Sequence, residues 1–178
     1  MDAARNDGQD PRYRRGAGVV LFNAQAQVWV GQRIDNPNPA WQMPQGGLDP
    51  HEHPFDTAQR ELEEETGVAP ALTRAIDSPE DWLTYDFPDE LRQRLWRGSY
   101  LGQQQRWFAF SFLGRDTDVN IATPHPEFSA WKWVELEQTI DLIVPFKREL
   151  YSQIIRAFIP IRDRLRDGSH RPSKTPIR

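Results

Sequence analysis

Apolar residues recur along this chain with two different periods. Gly16–Phe22 is apolar and β-branched, and Val28 and Val30 alternate ahead of the charged Arg33, which predicts a hairpin or a pair of strands. Asn36 to Pro39 is a loop, and Trp41–Pro44 leads into the turn signal Gly46-Gly47. Trp82–Phe87 and Trp107–Leu113 read as strands. In the second, Phe108, Phe110 and Phe112 point one way while Trp107, Ala109 and Ser111 point the other. Ser129–Val134 is a further strand candidate. The period changes between Phe55 and Thr66, where Phe55, Ala58 and Leu62 fall on one helical face and Gly67 stands where a C-capping glycine belongs. Pro145 opens a second helix through Leu150, Ile154, Ile155 and Phe158, which Pro160 is expected to kink or end. Strands around two well-separated helices predict one mixed α/β or α+β domain over residues 13–166. Residues 1–12, with Gly8 and Pro11, and 167–178, with Gly168, Pro172 and Pro176 among basic residues, read as disordered arms.

Composition narrows the classes. With 38% hydrophobic residues, seven Trp and nine Phe, the 178-residue chain has material for a sizeable core. The absence of cysteine excludes disulfides, thiolate zinc or iron–sulfur sites and cysteine nucleophiles. No apolar run approaches the ~18 residues of a membrane span and no basic-apolar leader opens the chain, so a cytoplasmic location without membrane attachment is the expectation. The net charge of −4 is uneven: from Lys147 onward nine basic residues face three acidic ones, which leaves the body at −10. An acidic body argues against binding to duplex DNA, which leans on dense Lys and Arg contacts to phosphate. A local basic strip near the C-terminus could still guide a polyanion.

The first helix carries Arg60-Glu-Leu-Glu-Glu-Glu-Thr-Gly67. At about 100° per residue, Glu61, Glu64 and Glu65 share one stripe while Glu63 points away. Like charges so aligned repel, and only Arg60 is near. A divalent cation would relieve the repulsion, and carboxylates without His or Cys suit Mg²⁺ or Mn²⁺. A solvated acidic face is the other reading, and composition does not decide between them.

The spacing from Gly46 does decide. Gly46, five residues, Glu52, seven residues, then Arg60-Glu61-Leu62-x-Glu64-Glu65-x-Gly67-Val68 resembles the Nudix box, GX5EX7REUXEEXGU with U aliphatic, at all nine specified positions. Further stretches resemble the bacterial RNA pyrophosphohydrolase branch of that family, which overlaps with dinucleoside polyphosphate hydrolases. They include Tyr13-Arg-Arg-Gly16, Trp41 to Gly47, Trp82 to Tyr85, Gly102-Gln103, Gln105 to Phe108, Pro126-Glu-Phe128, Trp131-Lys-Trp133 and Val144 to Arg148, so the likeness spans roughly residues 12–158. The resemblance implies a Nudix fold, a mixed sheet sandwiched between helices. It implies a metal site from Glu61, Glu64, Glu65 and the Gly46 carbonyl, with Glu52 and Arg60 bracing the loop against the helix. His51 stands where the branch usually has Gly, and a positive φ there would strain it; Arg106 stands where Lys is usual, keeping the charge and changing its geometry.

Outside the box, Glu127 sits on an expected loop; matched to the family's Pro-Glu-Phe it is a further metal ligand or a base for the attacking water. Phe146, beside Lys147 and Arg148, is either a core residue or a platform for stacking a nucleobase, with Val144 flanking the base. By resemblance Arg33 and Tyr85 reach the 5′ phosphates, and Gln103 and Gln105 contact phosphate or water at the metal. The four histidines show no metal-ligand spacing. The implied activity is Mg²⁺-dependent conversion of 5′-triphosphate or 5′-diphosphate RNA to 5′-monophosphate RNA, which promotes mRNA decay, by a monomer. Dinucleoside polyphosphates are the alternative substrate. A non-catalytic nucleotide or RNA-end binding module is the alternative of another class, and the intact Glu61, Glu64 and Glu65 speak against it.

Overall fold

The computed structural model describes residues 10–169; most of both expected arms lies outside them. Two faces of one eight-stranded mixed sheet are covered by different helices. Strand β1 (Tyr13–Phe22) turns through Asn23, whose Oδ1 accepts the N–H groups of Gln25 and Gln27, into antiparallel β2 (Val28–Arg33). The short β3 (Trp41–Gln42) pairs with β2, and β4 (Gln45–Gly47) pairs with β1 through Gly16, Ala17 and Gly18. The helix α1 (Pro54–Thr66) follows, then β5 (Thr73–Asp77), β6 (Leu83–Asp86) and α2 (Asp89–Arg94). Strand β7 (Gly102–Phe112) lies parallel to β1 along its whole length and antiparallel to β5 and β6; β8 (Phe128–Val134) pairs with β2. The one-turn α3 (Thr139–Leu142) and the long α4 (Arg148–Arg166) complete the order.

Strand alternation assigns the two cores. Ala17, Val19, Leu21, Trp29, Phe108 and Phe110 pack against Ala58 and Leu62 of α1. Val20, Phe22, Val28, Val30, Trp107 and Ala109 pack against Leu150, Tyr151, Ile154, Phe158 and Ile161 of α4. The mixed sheet between helices that the sequence implied is therefore present. The expected alternation in β7 holds, but the strand starts five residues earlier, at Gly102, because the polar Gln103, Gln104 and Gln105 are buried and hid the pattern. Two further corrections are needed. Pro160 does not end α4: it lies on the solvent side, the helix continues to Arg166, and the apolar stripe on both sides of it stays packed on the sheet. Arg162, Arg164 and Arg166 then anchor the last turns to Glu137, Asp77 and Glu135. Pro145 opens a 3-10 turn (Pro145–Lys147), and α4 itself begins at Arg148. The described backbone before Tyr13 is also tied to the fold, since the Leu101 N–H donates to the Arg12 carbonyl.

Candidate active site

The helix α1 starts at Pro54 and ends at Gly67, whose φ of 69° and N–H bond to the Glu63 carbonyl close it. A Cβ at Gly67 would lie 2.4 Å from the Asn120 carbonyl oxygen, so the exit has no room for a side chain. At the other end of the box, a Cβ on Gly46 would meet the Glu61 carboxylate at 2.1 Å. This close approach of β4 to α1 is what a glycine permits here. The loop between them is tied by Arg60. Its Nε and Nη2 hold the two oxygens of Glu52 at 2.8 and 2.9 Å, and Nη2 reaches the Gly47 carbonyl at 3.1 Å. This two-pronged pair holds the Glu52 carboxyl down at about 2. His51 lies on the same loop with φ of 66°, the left-handed conformation that penalises a side chain.

The carboxylates gather beside this brace. Arg60 Nη1 sits 2.8 Å from Glu61 and 3.3 Å from Glu64. Glu65 is buried; its Oε2 accepts the Gln45 N–H at 3.1 Å while its Oε1 has no partner. Burial, with Glu127 and Glu61 nearby, pushes the Glu65 carboxyl well above the usual range, and burial raises Glu61 as well. Among the described residues, no three His, Cys, Asp or Glu side chains stand ready around a common metal position. The donor set nevertheless fits a hard cation: an orphaned buried carboxylate oxygen beside two more carboxylates is relieved by a divalent charge.

A cavity of about 310 Å³ opens beside the carboxylates, between the β2 end, β6, α2 and the turn before α4. It brings together Arg33, Tyr85, Gln103, Val144, Phe146 and Lys147, which are scattered over the sequence. The Phe146 and Tyr85 rings are 6.3 Å apart, and the Lys147 Nζ lies 5.3 Å above the Tyr85 ring. Burial and the adjacent Arg33 bring the Lys147 ammonium down to about 8. Burial raises the Tyr85 phenol. Arg33 joins the two regions: it is paired with Asp35 at 2.6 Å and with Glu127 at 2.8 Å, and Glu127 in turn faces Glu65.

Gln105 is placed differently from the other sequence candidates. It is fully buried behind the cavity, donating to Gln45 at 2.6 Å and to Gln103 at 2.8 Å and accepting from the Trp107 indole at 3.0 Å. It holds Gln45 and Gln103 in place and is not part of the cavity wall. Sequence reasoning missed Gln45, whose backbone N–H holds Glu65; its place between Pro44 and Gly46 was the available signal. It also missed Asp35, Leu91 and Leu95 in the cavity wall, and nothing in their local pattern marks them.

This loop–helix with its carboxylates, set in a sheet between two helices, defines the class. A family model described as NUDIX domain matches residues 12–154, and the chain belongs to the Nudix family, whose members hydrolyse pyrophosphate bonds. The chain is 53% identical over 143 residues to an RNA pyrophosphohydrolase of Rhodospirillum rubrum, covering 80% of this chain and 85% of that protein. It is 49% identical over 160 residues to one of Erythrobacter litoralis, covering 89% and 98%. Among solved structures, the E. coli dihydroneopterin triphosphate pyrophosphohydrolase superposes with a TM-score of 0.63 at 20% identity, covering 82% of this chain and 98% of that one, a likeness of fold.

Proposed function

We propose that the protein removes terminal phosphates from the 5′ end of RNA, cleaving between the α and β phosphates to leave a 5′-monophosphate, and so takes part in mRNA decay in the cytoplasm. The observation that carries this reading is Arg33. Its guanidinium stands in the cavity wall and also holds Glu127, so a phosphate on Arg33 lies beside the carboxylates. A nucleobase enters between Phe146 and Val144, and Arg33 and Lys147 neutralise its phosphates. Glu61, Glu64 and Glu65 would hold Mg²⁺ or Mn²⁺, with Glu127 as a further ligand or as the base. The cation supplies Lewis acidity at the scissile phosphate. Glu52 and Arg60 keep the loop on the helix, so that the carboxylates stay aimed at one point. The names of relatives about 50% identical support RNA as the substrate.

The test compares kcat/KM for 5′-triphosphate RNA and diadenosine tetraphosphate in one preparation with Mg²⁺. A higher value for RNA is expected. The reverse ranking would reassign the enzyme to dinucleoside polyphosphates, and absence of turnover on both would leave a binding module.

A further inference from the structure

A second and larger depression, about 1070 Å³, lies on the other side of the box loop. One wall is the loop itself, Leu48 to Pro54; the opposite wall is Arg14 and Arg15 of β1, Trp82 beside β6 and Arg106 of β7. None of the three arginines forms an ion pair among the described residues, whereas the arginines of the last turns of α4 are all paired. Each lies instead over an aromatic ring. The Arg15 guanidinium is 4.7 Å from the Trp82 ring centre, Arg14 is 4.6 Å from Trp96 and Arg106 is 5.5 Å from Phe108. The Nε atoms of Arg15 and Arg106 are buried without a hydrogen-bond partner, and the Arg106 Nη2 has only the Ser78 hydroxyl at 3.3 Å. Burial lowers the Arg106 pKa, opposed only by the fields of Glu80 and Asp81. Arg106 feels the fields of Glu80 and Asp81 but is paired with neither, and like Arg14 and Arg15 its guanidinium has no carboxylate partner among the described residues, which suits an anion. A guanidinium held over a ring face keeps N–H donors for phosphate oxygens.

Position identifies the anion. Arg14 lies against Gly47, where a Cβ would meet its Nη2 at 2.2 Å, and its charge also acts on Tyr85 in the smaller cavity. Arg14 thus stands between the groove and the smaller cavity, and a chain leaving the 5′-end site past Arg14 would meet Arg15 and Arg106, with Asp49, Glu52 and Glu80 on the same walls. We propose that this groove carries the single-stranded body of the RNA downstream of its 5′ end, with Arg15 and Arg106 contacting backbone phosphates. The proposal rests on the RNA reading of the neighbouring site, but its test does not require turnover.

The probe is a fluorescent 5′-hydroxyl single-stranded RNA of twelve nucleotides, which has no bond for the enzyme to cleave. Its binding is followed by anisotropy across a salt series. The full chain should bind it, and Arg15→Gln with Arg106→Gln should weaken binding about tenfold for each charge-assisted hydrogen bond removed. The slope of log K against log salt should flatten by about 0.7 for each phosphate no longer neutralised. Arg15→Lys with Arg106→Lys should restore most of that slope, because phosphate needs the charge; a structural role for the stacked guanidiniums would not be rescued in this way. Equal melting temperatures of the variants and the parent establish that the fold is intact. Absence of binding by the parent, an unchanged slope in the glutamine variant, or equal affinity for the same RNA made duplex would each overturn the proposal. If the hydroxyl RNA binds as described while triphosphate RNA is not hydrolysed, the groove stands and the assigned reaction falls.

Discussion

The two halves of the active site are built in opposite ways. The carboxylate half is one continuous segment: strand β4, loop and α1 carry Gly46, Glu52, Arg60, Glu61, Glu64 and Glu65 at fixed offsets. The cavity half is collected from β2, β6, β7 and the turn before α4, and Arg33 and Lys147 meet only because the fold brings the end of β2 beside that turn. Local helical geometry dictates the first half, so residue spacing exposes it. Topology dictates the second, so single residues there carry no signal of their own. The halves should also fail differently: damage to the first abolishes chemistry, and damage to the second weakens binding.

The largest effect should come from Glu65→Gln. Its carboxyl is buried with one oxygen unpartnered, and burial with Glu127 and Glu61 disfavours its charged form, so a neutral amide removes a group that is costly to ionise in the fold. Activity with saturating Mg²⁺ should fall by about 10²–10³ in kcat, the size of other losses of transition-state electrostatics, while the melting temperature holds or rises. Glu64→Gln should lose comparable activity at no stability cost, since its side chain is 58% exposed and its pairing with Arg60 is a surface contact. Full turnover by a folded Glu64→Gln/Glu65→Gln protein would remove the carboxylates from the chemistry. Parallel losses of stability and activity would instead make the box a structural element.

Phe146→Ala sharpens the other half. The ring lines the cavity and also packs on the α4 core beside Tyr85, so the two sequence-level readings are not alternatives. KM for RNA should rise by the equivalent of about 1–3 kcal/mol, the worth of one base stacked on an aromatic, with kcat nearly unchanged. Stability should fall by less than the ~3–5 kcal/mol of a fully buried Phe→Ala change, because the ring is only half-buried. A lower melting temperature with unchanged KM would place the base elsewhere.

Legibility followed the same division. The strand pattern of β1, β2 and β8 and the helix α1 were readable because apolar periodicity there is clean. The first half of β7 was not, since buried glutamines satisfied by one another look like surface residues. Pro160 does not end the helix because its neighbours' packing outweighs the local penalty of a proline there. Net charge along the chain was a coarse guide. Of the basic residues toward the C-terminus, Lys147 lines the cavity, Arg162, Arg164 and Arg166 are paired with carboxylates, and Arg171, Lys174 and Arg178 lie outside the described residues. The three arginines that lie over aromatic rings are in the acidic body, where a charge count along the chain does not find them.

The smallest effect tests whether the box loop is tuned for stability as well as for chemistry. His51 holds φ of 66° on this loop and is exposed, with no hydrogen bond in the described structure to compensate. The left-handed conformation costs a side chain roughly 1–2 kcal/mol. Glycine removes that cost but brings back about 0.5–1 kcal/mol through the greater freedom of the unfolded chain. His51→Gly should therefore gain up to about 1 kcal/mol, a rise of ~2–4 °C in melting temperature for a domain of this size. The Glu52–Arg60 brace fixes the loop on either side of the substitution, so kcat should stay within about twofold. A drop in melting temperature would mean that the imidazole makes a contact worth more than its strain. A selective loss of affinity for long RNA, with the dinucleotide unaffected, would make His51 part of the arginine-lined groove it borders.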